Sequence, residues 1–450
     1  MSEVIKIRKG LDIKLKGTAE KILKRAQPSD YYAVKPIDFE GIRPKLVAKQ
    51  GDRVKAGSPL FYDKFQPDVQ FTSPVSGEVV SVNRGERRKI LEVVVKSDGE
   101  IEYEKFDVKP PKELQREEIV QLMLRSGLWP TLKQRPYGVI ADPEDIPKAI
   151  FISAFDSAPL APDLDFILKE GKDHFQTGLD ALSRLTDGKI HLNINADYPA
   201  CDVIKKAKGV QINKFKGPHP AGNVGIQINK LDPVNKGEVV WTIDPQHIIM
   251  LGRFFDKGIY DATKIIALTG SEIKKTYYPI ILQGASIENL VENNTEDGTL
   301  RYISGNVLTG KKIASNGFNG FYDNQVTVIP EGNYYELFGW ASPGLNKFSA
   351  TRAFLSKLLP NKKFRLDTNL HGGERAFVMT GEYEKVFPMD IYPQQLLKAI
   401  LIEDIDRMEK LGIYEVVEED MALCEFVCTS KIQVQSILRQ GLDEMRKEMS

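Results

Sequence analysis

The sequence predicts an α/β multidomain protein, and three observations carry that prediction. Hydrophobic alternation of period two, punctuated by glycine turns, fills the first hundred residues. Short apolar strands then alternate with amphipathic helices, and the chain ends in helical periodicity. At 450 residues it exceeds one typical core, so two to four domains are expected. Changes of period place the domains at 1–104, 105–255, 256–332 and 333–450.

The first domain reads as β-hairpins. Alternation runs through Val47–Val54, Val69–Phe71 and Glu78–Val82, and "KILEVVVKSDG" is a strand ending in a turn. Gly51-Asp52, Gly57 and Ser76-Gly77 are turn signals at hairpin spacing. The stretch "GDRVKAGSPLFYDKFQPDVQFTSPVSGEVV" reads like the middle of a biotinyl or lipoyl carrier domain, a barrel-sandwich with a cofactor-bearing lysine at one hairpin tip. Lys64, after Asp63, is the candidate arm. Against this stand the bulky Phe65, Pro67 in the turn, and the short span from Gly57 to Lys64. Lys64 is therefore expected to be a solvated, unmodified lysine.

The second domain begins after Pro110-Pro111, where Leu114, Ile119, Leu122 and Met123 recur at helical spacing. "KAIFISAFDSAPLAPD" is a buried strand entering a polar loop, and "KIHLNI" is the next strand. Between them "HFQTGLDALSRLTDGK" predicts a helix capped by Gly188, and "CDVIKKAKG" predicts another helix. Such alternation points to a Rossmann-like layer with a parallel sheet, although no GxGxxG follows any strand. In the third domain, strands over "TKIIALTGSEI", "TYYPIILQGAS", "RYISGNVLTGKK" and "QVTVIPEG", with one short helix "IENLVEN", suggest a β-grasp module. The fourth is expected to be mostly helical. One helix is predicted over "YPQQLLKAILIEDIDRMEKLG" and a last one over "IQVQSILRQGLDEMRKEM".

Composition narrows the function. Formal net charge is zero, which removes the basic excess expected of a nucleic-acid binder. There is no signal-peptide pattern and no run of about 18 apolar residues, so no transmembrane segment is expected and contact with a membrane should come through a partner. Three cysteines, Cys201, Cys424 and Cys428, are too few for a disulfide framework or for an iron–sulfur cluster with its four or so thiolates. Cys424 and Cys428 read as half-buried helix cysteines one turn apart.

Three loops carry chemistry-bearing residues. "GPHPAGNVGIQINKLDPV" is rigid and irregular and holds His219, either near a ligand or as a satisfied histidine in a turn. "LRSGLWPTLKQRPYG" offers Trp129, Arg135 and Tyr137, either as an aromatic ligand pocket or as packing between domains. "HGGERAFVMTGEYEKV" places Gly-Gly before Glu374 and Arg375 but lacks the P-loop ending, so a tight turn is expected. No zinc spacing and no G-x-S-x-G elbow is present. No metal site and no catalytic residue are therefore assigned.

Taken together, these stretches resemble the A-subunit family (NqrA) of the sodium-translocating NADH:quinone reductases. The resemblance spans nearly the whole chain. It rests on "RPKLVAKQGDRVKAGSPLFYDK", "VNRGERR", "SGLWPTLKQRPYG", "GPHPAGNVG", "SGNVLTG", "FGWASPGLNKFS", "GGERAFV", "YEKVFPMDIYP" and "EEDMALCEFVC". The C subunit of the Rnf complex and the flavin subunit of complex I share the domain order more distantly, and their counterpart of the third domain is the SLBB-like β-grasp. Those relatives carry a loop like G-x-G-G-A-G-F-P-T whose amides approach a flavin phosphate. Here Gly127-Leu128-Trp129-Pro130-Thr131 stands in its place.

The resemblance therefore implies a scaffold that has lost flavin, cluster and NADH binding and binds no cofactor itself. It implies a peripheral subunit on the cytoplasmic face of the bacterial inner membrane, in a six-subunit complex with partners B to F, the membrane-embedded B partner above all. FMN, FAD, riboflavin and iron–sulfur centres are expected on those partners. The complex would couple electron transfer from NADH to quinone to sodium transport. This chain would serve a structural role in it; either it also holds a quinone, at Trp129, Arg135, Tyr137 and His219, or these loops only pack domains and the quinone site lies in a membrane partner. The alternatives are a lipoyl or biotinyl carrier and a stand-alone oxidoreductase component binding FMN and NADH.

Overall fold

The structure is a computed structural model and describes residues 3–351 and 353–449. The N-terminal hairpins form a sandwich of two antiparallel sheets. One takes its strands from Tyr31–Val34, Ile90–Ser97, Gly77–Arg84 and Arg53–Val54, the other from Pro44–Leu46, Pro59–Asp63 and Gln70–Thr72. Inward-facing residues at period two supply the core. Leu60, Phe61, Phe71, Val79, Val93 and Val95 are buried, and the Phe61 and Phe71 rings stack at 4.6 Å.

Lys64 is exposed at the entry to the turn after Pro59–Asp63. The buried Asp63 carboxylate accepts from the Arg43 and Phe65 amides, so it builds the turn. Gln66 then ties the turn to the next domain by donating to Asp142 at 2.7 Å. A hairpin held this way is a docking element.

The α/β domain is built on a seven-stranded sheet. In chain order its strands are β1 (Val4–Lys6), β2 (Lys133–Arg135), β3 (Val139–Ile140), β4 (Ala149–Ser153), β5 (Lys189–Asn195), β6 (Gln211–Lys216) and β7 (Val240–Thr242). Their spatial order is β1-β6-β5-β4-β7-β2-β3. The first five in that list run parallel, and β2 and β3 close the edge antiparallel. Helix α1 (Arg116–Ser126) precedes β2 and ends on Gly127. Helices α2 (Lys172–Leu182), α3 (Val224–Leu231) and α4 (Pro245–Lys257) cover it.

Helices α2 and α4 cross with their backbones nearly touching. A Cβ on Gly178 would meet the Ile248 carbonyl at 2.1 Å, and one on Gly252 would meet the His174 carbonyl at 1.9 Å. Helix α2 stops at Leu182, short of the predicted cap at Gly188. Thr186 instead donates to the Pro147 carbonyl at 2.7 Å and accepts from Gly188 N–H, which turns the chain into β5.

The third unit combines Ala267–Thr269, Gln325–Pro330, Leu300–Ser304 and Lys311–Ile313 in one sheet. A second small sheet joins Thr263–Ile265 and Tyr278–Leu282 to Leu23–Arg25. The leader of the chain therefore leaves the sandwich. Its β1 extends the α/β sheet, Leu23–Arg25 extends the third unit, and Leu15 bridges Phe364.

The fourth domain, expected to be mostly helical, has no α-helix among the described residues between 333 and 382. Pro343, Gly344, Pro360, Gly372, Gly373 and Gly381 interrupt the segment, and among the described residues only single 3-10 turns form. The predicted long helix from Tyr392 is two, Pro393–Leu401 and Ile405–Lys410. The break falls where Glu403 takes φ 56° and Asp404 caps the second helix by accepting from Arg407 N–H. Helices α5 (Glu418–Val427) and α6 (Val434–Met449) finish the chain. Cys424 and Cys428 lie in their buried core, where the Tyr383 hydroxyl donates to Cys428 Sγ at 3.0 Å. Among the described residues no group of three or more His, Cys, Asp or Glu is placed to hold a metal ion.

Candidate functional site

A parallel sheet of this order has one natural crevice. From β4 the chain goes outward to β5 and β6 on one side, and later strand β7 lies on the other. The loops leaving β4 and β7 diverge there, and ligands of open α/β sheets bind outside the carboxyl ends at such a switch point. The structure has a cleft of about 590 Å³ at this place. Ser153 and Asp156 reach it from the end of β4, and Thr242 and Asp244 from the end of β7. The other domains close it: Asp38 and Glu40 from the sandwich, Tyr322 and Asp323 from the third unit, Glu418, Glu419 and Arg439 from the C-terminal helices.

Of the four predicted site residues, two line this cleft and two do not. His219 does. Its loop is clamped from behind by the leader, where Asp12 accepts from His219 N–H at 2.9 Å and Leu11 N–H donates to the His219 carbonyl at 2.8 Å. His219 Nδ1 lies 3.0 Å from Ser157 Oγ, which also accepts from Gly222 N–H at 2.8 Å. With the hydroxyl donating to Nδ1, the Nε2–H tautomer remains. Burial pulls the imidazole down to about 4, so it is neutral at physiological pH.

Arg135 also lines the cleft, but its guanidinium is engaged. It donates to Asp420 at 2.6 Å and to Glu419 at 2.7 Å, which pins the first turn of α5 against β2. Burial pushes the Asp420 carboxyl up to about 6, opposed by Arg135 and by the Val417 amide. Helix α3 must come close for this: a Cβ on Gly225 would fall 2.4 Å from the Asp420 carboxylate.

Trp129 is fully buried and lies outside the cleft lining. Its Nε1–H donates to the Ala141 carbonyl at 2.8 Å and its ring meets Trp241 edge-on at 5.4 Å. Tyr137, half-buried, sits edge-on to Tyr414 at 6.3 Å, and its carbonyl accepts from Arg439. Trp129 thus packs within the α/β domain, while Tyr137 meets the C-terminal domain.

Several polar groups of the cleft were not singled out from the sequence. Asp156 lines the cleft and stays open to solvent there, and desolvation by the surrounding walls pushes its carboxyl up to about 6. Lys133 Nζ stands 3.7 Å over the Tyr322 ring, and burial lowers its pKa against the pull of nearby carboxylates. His247, in the first turn of α4, is buried with neither ring nitrogen in a hydrogen bond. Desolvation, then Lys264 and Lys133, hold it neutral, and it leans against the ring of Phe321 at 5.3 Å. "TIDPQH" carried a usable signal, since Asp before Pro opens a helix directly after a buried strand and so marks the switch point. Chemically the cleft offers a neutral imidazole and a carboxyl that exchanges its proton near neutral pH, inside mixed polar and aromatic walls.

Comparison with known proteins follows the same division into units. The profile of the NqrA N-terminal barrel-sandwich hybrid domain matches residues 5–98, that of the NqrA second alpha/beta domain residues 114–260, and that of the NQRA C-terminal domain residues 265–315. The A subunit of the Na(+)-translocating NADH-quinone reductase of Yersinia pseudotuberculosis is 39% identical over 99% of this chain and 100% of its own length. The protein of the same name from Hahella chejuensis is 40% identical over the same shares. Among solved structures, an NAD+-reducing [NiFe]-hydrogenase aligns at 10% identity and TM-score 0.39, covering 75% of this chain and 62% of that one. Full-length identity at this level, together with the three matching profiles, makes the chain a member of the A-subunit family of Na(+)-translocating NADH-quinone reductases.

Proposed function

We propose that this chain serves as the A component of a sodium-translocating NADH-quinone reductase, and that a quinone headgroup enters its interdomain cleft. The cleft at the β4–β7 switch point, with neutral His219 on its wall, is the observation that carries this reading. A quinone ring needs a flat slot and donors to its carbonyl oxygens. His219 supplies a donor that carries no charge to desolvate. Asp156 supplies a carboxyl able to give up a proton as the ring is reduced, in the turn that also holds Ser157. Arg135, Trp129 and Tyr137 then act by position, holding the cleft's walls together.

In this reading the chain carries no electron carrier. Electrons arrive from flavin and iron centres on partners B to F, the membrane-embedded B partner foremost, at the cytoplasmic face of the inner membrane. No helix among the described residues is long and apolar enough to cross a membrane, which fits a peripheral place. Ligand-observed NMR with a short-chain quinone tests the site. The wild-type chain should bind, and folded His219→Gln and Asp156→Asn variants should bind at least about tenfold more weakly, the worth of one hydrogen bond to the ring. Equal binding by both variants places the site elsewhere.

A further inference from the structure

Away from the cleft, the pairing of the leader with Phe364 assembles a patch that local sequence does not reveal. Phe364 N–H donates to the Lys14 carbonyl at 2.8 Å, Lys16 N–H donates to the Phe364 carbonyl at 2.9 Å, and Lys14 Nζ reaches the Pro360 carbonyl at 3.0 Å. Lys14 and Lys16 thus stand beside "LSKLLPNKK", residues 355–363, which brings Lys357, Lys362 and Lys363. None of these five lysines forms an ion pair with a described carboxylate. Between them Leu355, Leu358 and Leu359 are 47–68% exposed. Leu345, 54% exposed, is tied in by Lys362 Nζ, which donates to its carbonyl.

We propose that this patch binds the anionic surface of a lipid bilayer directly. Leucines ringed by lysines that no carboxylate neutralises suit a headgroup boundary. The apolar side chains enter the acyl edge, the lysine stems lie along it, and the ammonium groups meet phosphates. A protein partner is the poorer match, because lysine is depleted in protein interfaces. The inference goes beyond the quinone reading and does not depend on it.

Flotation of the purified full chain with vesicles is the test. Vesicles of phosphatidylethanolamine and phosphatidylglycerol, in a ratio of about 7:3, should carry the protein up at low salt, and pure phosphatidylcholine should not. The Leu358→Ser/Leu359→Ser and Lys362→Glu/Lys363→Glu variants, checked for an unchanged thermal transition, should each lose on the order of tenfold or more in partitioning, since one lysine near an anionic surface is worth about fivefold. No flotation, equal flotation on both lipids, or flotation unchanged in both variants overturns the proposal. So does failure of the variants to join partner subunits in detergent when wild type does not float, which would assign the patch to a protein.

Discussion

The 127–131 turn and the 217–222 loop look alike in sequence, each short, rigid and carrying one ring with an N–H. They end in different surroundings. The Trp129 indole points into the core, where its N–H meets the Ala141 carbonyl and Trp241 packs against its ring. The His219 imidazole is buried too, but its partner is Ser157, a hydroxyl on the loop leaving β4, and both belong to the cleft wall or the turn beside it. A ring whose donor is satisfied by the backbone of its own fold is structural. One whose partner is itself a side chain at the strand ends is available for chemistry. The identity of the partner separates the two, and no residue type announces it.

The largest effect that would sharpen this contrast is at Trp129. Trp129→Ala should destabilise the α/β domain by about 3–5 kcal/mol, because it opens a large cavity and strands the Ala141 carbonyl. Urea unfolding followed by tryptophan emission measures it, and a small loss would break the structural assignment.

Asp420→Ala comes next. It leaves the Arg135 guanidinium buried with Glu419 alone, and a buried pair broken on one side costs about 3–5 kcal/mol. Some of this returns because burial had already raised the Asp420 carboxyl, so the lower end is expected. Combining it with Arg135→Met should recover part of the loss, whereas strict additivity would show that the two side chains do not interact.

His219 should show itself through pH. The folded ring holds a proton less tightly than the unfolded chain, about 4 against 6.5. Its contribution is thus fully present above pH 6.5 and drains as pH falls towards 4, by up to about 3 kcal/mol at about 1.36 kcal/mol per unit. His219→Gln should flatten that part of the stability–pH curve. Identical curves for the two proteins would mean that the ring is solvated. Smallest is Lys64→Arg, expected to change stability by less than about 0.5 kcal/mol. A larger shift, or an adduct on Lys64 in the intact mass, would return the hairpin tip to carrier chemistry.

Much of the fold was legible because it is local. Alternation at Val69–Phe71 and Glu78–Val82 pointed to the sandwich, and the strand at "KAIFIS" before helices pointed to the parallel sheet. What periodicity does not hold is pairing at long range. Nothing in "VIK" at 4–6 says that it lies beside Lys214–Lys216, or in "LKR" at 23–25 that it pairs with Tyr278–Ile280. Helix ends failed where a side chain offered the backbone another partner, as Thr186 and Asp404 do. At the site, Arg135 and His219 stood out by type. Asp156, Lys133 and His247 did not, since what distinguishes them is a shared cleft that only the assembled domains create.

The leader gives the molecule a direction in time. Residues 4–25 are made well before their partners, which follow far behind: Lys214–Lys216, then Tyr278–Ile280, then Phe364. At synthesis rates of about 5–20 residues per second, the first segment waits on the order of tens of seconds before its last partner exists. Meanwhile the sandwich behind it has every strand it needs. The leader is thus a belt fastened late, and its buckle is the His219 loop, held by Leu11 and Asp12. Nascent chains would carry a finished sandwich while the cleft stays slack, so the cleft takes its shape only after Phe364, Glu419 and Asp420 have been made.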